Sequence, residues 1–64
     1  MNPDSLYYFN QIRDYSLEKT IELASSVDFP QKAQLIQIVT DNPQRLDSLK
    51  GAIATALSKT NPIT

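Results

Sequence analysis

Apolar residues recur along this chain at three- and four-residue intervals, the period of a helix that turns one side toward a core. At 100° per residue, Leu6, Tyr8, Phe9, Ile12 and Tyr15 gather on one broad side of a first helix over about residues 3–14. Leu17, Ile21, Ala24 and Val27 make a narrower stripe on a second, over about 17–27. Leu35, Ile36, Ile38 and Val39 give a third, over about 30–40, an apolar face wider than a surface helix needs. Leu46, Leu49, Ile53, Ala56 and Leu57 form a seam down a fourth and longest helix, over about 43–60. No segment alternates with period two over enough β-branched residues to make a strand. The pattern therefore predicts an all-α fold, a compact bundle of four short helices in a single small domain spanning residues 1–64.

Local punctuation agrees with that division. Asn2-Pro3 and Asn42-Pro43 each offer a side-chain acceptor at a helix N-cap, followed by a proline at the first helical position, where its missing N–H is not needed. Ser16, with Glu18 in the first turn, starts the second helix. Asp28-Phe29-Pro30 breaks the chain and opens the third, because the residue before a proline is driven out of the α region. Asn61-Pro62 ends the fourth. Inside the fourth helix Gly51 costs roughly 1 kcal/mol of helix propensity relative to alanine, against the gain from Ala52, Ala54 and Ala56. The pattern Asn-Pro-x-x-Leu occurs at Asn2 and again at Asn42, but the apolar positions downstream do not match, so cap chemistry explains it better than a repeat.

Composition then narrows the chemistry. The chain of 64 residues has no cysteine and no histidine, which removes disulfides, thiolate nucleophiles and the two commonest zinc ligands. One glycine cannot build a phosphate-cradling loop. The serines have no base to activate them, since Lys59 beside Ser58 points elsewhere on the helix. Glu18 and Glu22, one turn apart, lie opposite the Leu17/Ile21/Ala24 stripe and read as a solvated face rather than a metal site. No catalytic, metal or cofactor residue is expected, and the chain is read as non-enzymatic. The N-terminal Met1-Asn2-Pro3-Asp4 has no basic region leading into an apolar stretch, so a cytoplasmic location is expected.

Net charge is −1, divided unevenly: residues 1–29 carry −3 and residues 30–64 carry +2. That balance is no footprint for phosphate binding. Gln31, Gln34 and Gln37 form a polar ridge on the third helix that resembles a base-reading surface, with Lys32, Lys50 and Lys59 as the cations a small nucleic-acid-binding regulator would use. Nucleic acid is the weaker expectation, because the acidic second helix lies beside that ridge. An accessory subunit of a larger complex is a third reading.

The favoured expectation is a protein–protein interaction module, of regulatory, adaptor or inhibitor type, that pairs with itself as a homodimer. A chain this short buries only about 60% of its unfolded surface, which gives association a physical motive. Tyr7 faces away from Phe9 and Ile12, and Leu23, Ile36 and Ile38 lie off the main stripes of their helices. Ala52 and Ala56 permit close approach along the fourth helix. These six residues are the candidate interface. Two arrangements satisfy the surplus on the third helix: it is the central, most buried element, or it faces another chain.

Overall fold

The computed structural model describes residues 3–62, and within them four α-helices and no strand. They are α1 (Pro3–Ile12), α2 (Leu17–Ser26), α3 (Lys32–Asp41) and α4 (Leu46–Thr60), with a short 3-10 turn at Pro43–Arg45 leading into α4. The four-helix, all-α expectation holds, and α4 runs unbroken through Gly51.

Each boundary has a local cause. Ser16 caps α2 as expected: its backbone is extended and its Oγ accepts the Lys19 N–H at 3.1 Å. Its carbonyl accepts twice from Thr20, from the N–H at 2.9 Å and from Oγ1 at 2.7 Å, so the buried Thr20 hydroxyl is satisfied. The other cap expectations need correction. Pro30 does not open α3; Gln31 intervenes in the left-handed region at φ 59°, and its carbonyl takes the Leu35 N–H at 2.9 Å. Burial of Phe29 fixes the turn and delays the helix to Lys32. Asn42 uses its side chain backwards, its Nδ2 donating to the Ile38 carbonyl at 3.3 Å, so it closes α3 rather than capping the next helix. Pro43 accordingly starts a 3-10 turn, and the α-helix begins only at Leu46. Asn2 lies outside the described residues.

The core joins all four helices through Ile12 of α1, Ala24 of α2, Phe29 of the intervening turn, Val39 of α3, and Leu49, Ile53 and Ala56 of α4. Its centre is α4. Leu49, Lys50, Ile53, Ala54, Ala56 and Ser58 are all buried, covering more than half of that helix's circumference, whereas α3 buries only Val39 completely. The possibility that α3 is the central element is thereby corrected. The physical reason is side-chain size: the small Ala54, Ala56 and Ser58 let neighbouring helices close on α4 from several sides.

On α1 the inward side is also rotated from the projection. Leu6 is 51% exposed, and Ser5 takes its place, buried, with its Oγ 3.1 Å from the Oγ of Ser58. Tyr8 ties the same helix to the end of α4 by donating to the Asn61 carbonyl at 2.6 Å.

Candidate interaction surface

A groove of about 490 Å³ lies between the turn at residues 28–30 and one side of α4. Phe29 and Pro30 form one wall. Gly51, Ala52, Thr55, Ala56, Lys59 and Thr60, which recur at the i, i+1, i+4, i+5 spacing of a single helical face, form the other. The floor is apolar because Phe29 is turned inward, and α4 is low-walled because no side chain larger than threonine rises from positions 51 to 56 on this face. A Cβ added at Gly51 meets nothing within 4 Å. Asp28 and Lys59 stand on the groove as exposed charges of opposite sign, and among the described residues neither makes an ion pair or a side-chain hydrogen bond.

Of the six residues singled out from sequence, the structure brings Ala52 and Ala56 together in this groove. Ala52 is half-buried, and Ala56 lies at its buried edge. Leu23 is half-buried in a shallower depression of about 230 Å³ with Tyr15, Lys19, Glu22 and Ser26. Ile36 is half-buried and, like Leu23 and Ala52, packs against the core, of which Ala56 is itself a member. Ile38 is 41% exposed and Tyr7 is 50% exposed. The Tyr7 ring rests edge-on against Tyr8, with centroids 5.4 Å apart, so the side chain is pre-positioned although it faces water.

Sequence reasoning missed the wall at Phe29 and Pro30 and the placing of Asp28 and Lys59 on one groove. The helical half of the site was legible in the small Ala52 and Ala56 along the fourth helix. The other half depends on where the turn folds back, which no local pattern encodes.

The cations proposed for phosphate contact are largely occupied elsewhere. Lys50 is buried, 4% exposed, and its Nζ donates to the Arg13 carbonyl at 2.5 Å just beyond the C-terminus of α1. It cannot reach a phosphate, which corrects its assignment to a nucleic-acid surface. Lys32 Nζ donates to the Ser25 carbonyl at 3.1 Å near the end of α2. Gln31, Gln34 and Gln37 are exposed, with Gln37 donating to Asp41 at 3.1 Å. Glu18 and Glu22 are exposed as expected, and Lys19, placed between them in sequence, lies 4.3 Å from the centre of the Tyr15 ring. Among the described residues no three acidic side chains gather as metal ligands would, and no helix is long and apolar enough to cross a membrane. Set against models of known protein families, curated proteins and solved structures, the chain matches none.

Proposed function

We propose that this chain is a non-enzymatic, cytoplasmic protein–protein interaction module that associates with itself. The observation that carries this reading is the apolar groove beside α4, a concave surface walled by Phe29, Pro30, Ala52 and Ala56. Leu6, Tyr7 and Ile38 add large exposed apolar side chains outside it. The non-enzymatic part rests on composition, since a chain without histidine or cysteine lacks the usual bases and thiolates. The expected behaviour is a reversible monomer–dimer equilibrium. Sedimentation velocity over a hundredfold concentration range tests it, with a sedimentation coefficient that rises with concentration as the expected result. A single species of 7.2 kDa at every concentration would overturn self-association.

A further inference from the structure

We propose that the groove is filled by α4 of a second copy, laid antiparallel across a twofold axis, so that each copy's Lys59 meets the other copy's Asp28. This deepens the self-association reading and rests on it. The first support is the charge carried by the groove. It holds one anion and one cation, Asp28 and Lys59, both exposed and neither with a side-chain partner among the described residues. A uniformly acidic guest would satisfy Lys59 and repel Asp28, and a basic guest would do the reverse. A second copy brings both charges, and a twofold axis that sets one copy's Asp28 against the other's Lys59 forms the second pair by the same symmetry.

Shape supports the same occupant. Two concave surfaces do not fill each other, but here α4 is at once a wall of the groove and a convex rod. Placed over the hollow between the 28–30 turn and α4, the second copy's helix receives the first copy's α4 in its own groove by symmetry. The low profile of Gly51, Ala52 and Thr55 lets the two rods approach closely, and open space at Gly51 leaves room for the guest. Thr55 falls near the middle of the groove wall at 51–60 and therefore nearest the axis. An ordinary interface buries about 800 Å² per partner. A groove bounded by one turn and one side of one helix supplies less, so dissociation constants are expected at about micromolar or weaker.

The chain's lack of cysteine makes the test clean. Lys59→Glu and Asp28→Lys are each expected to raise the dissociation constant about tenfold by opposing like charges, and the double variant to restore it to within about threefold. Circular dichroism melts of all three check that folding is unchanged. Under mild oxidation, Thr55→Cys is expected to form a covalent dimer rapidly, and Tyr7→Cys and Ile38→Cys are expected to form none. A dimer that ignores both charge reversals, is not rescued by the double variant, or cross-links through position 7 or 38 instead would overturn the groove assignment and leave self-association standing. A monomer at every concentration would overturn both.

Discussion

At the scale of single residues, the least expected feature is Lys50. A lysine seldom lies buried without a partner, and here the ammonium is placed where a helix leaves its last carbonyls unsatisfied, on the Arg13 oxygen beyond α1. Position favours it twice, through the hydrogen bond and through the negative end of the α1 dipole. The aliphatic stem is buried with the rest of the side chain on the inward side of α4. Lys50→Met keeps the stem but leaves the carbonyl uncapped, and is expected to cost about 1–2 kcal/mol. Lys50→Ala loses packing as well and should cost about 2–3 kcal/mol. Urea denaturation measures both, and a Met variant as stable as the parent would show that the ammonium–carbonyl bond holds nothing. The Ser5–Ser58 pair illustrates the same economy on a smaller scale, with the two Oγ atoms 3.1 Å apart between α1 and α4. Ser58 also donates to the Thr55 carbonyl at 2.7 Å.

At the scale of elements, the helical period and the cap at Ser16 were legible because both are local: the signal and its consequence lie within a turn of each other. The rotation of each helix about its own axis was not. A projection gives relative angles among Leu6, Tyr8 and Ile12, but the direction of the core is set by partners such as Ser58, 53 positions away from Ser5. That is why Leu6 is exposed and Ser5 buried. Asn42 shows the same limit for caps, since its amide could serve the helix before or the helix after, and the geometry of the turn chose the former. In the candidate site, Ala52 and Ala56 were found from spacing on one helix, whereas the opposing Phe29 and Pro30 needed the tertiary fold. Gly51 offers a prediction at this scale. It sits in a continuous helix with room for a methyl group, so Gly51→Ala should stabilise the monomer by about 0.5–1 kcal/mol, read as a higher melting temperature. A lower melting temperature would mean that the helix is strained at this point.

For the molecule as a whole, the radius of gyration of 10.9 Å matches the value of about 11 Å for a compact chain of this length. The surface of 4300 Å² lies close to the roughly 4,100 Å² typical of a monomer of this mass. The surface is thus what a chain of this size exposes when compact, and the proposed pairing rests on the groove rather than on failed compaction. Stability is narrow all the same. A core of this size supports only about 3–5 kcal/mol, and Leu49, Ile53 and Val39 are the largest apolar side chains that it encloses fully. Ile53→Ala should remove about 2–5 kcal/mol, enough to leave a large unfolded fraction at 25 °C, whereas the exposed Leu6→Ala should change stability by less than about 0.5 kcal/mol. Far-UV circular dichroism distinguishes the two, and equal effects would mean that the core is not centred on α4.

The placement of that centre late in the chain governs when the protein can come into being. During synthesis α1, α2 and α3 emerge before α4, the rod they wrap. Helices of ten residues are marginal by themselves in water. Collapse must therefore wait for residues 46–60, and a ribosome that stalls before them releases a polypeptide with no shape to keep.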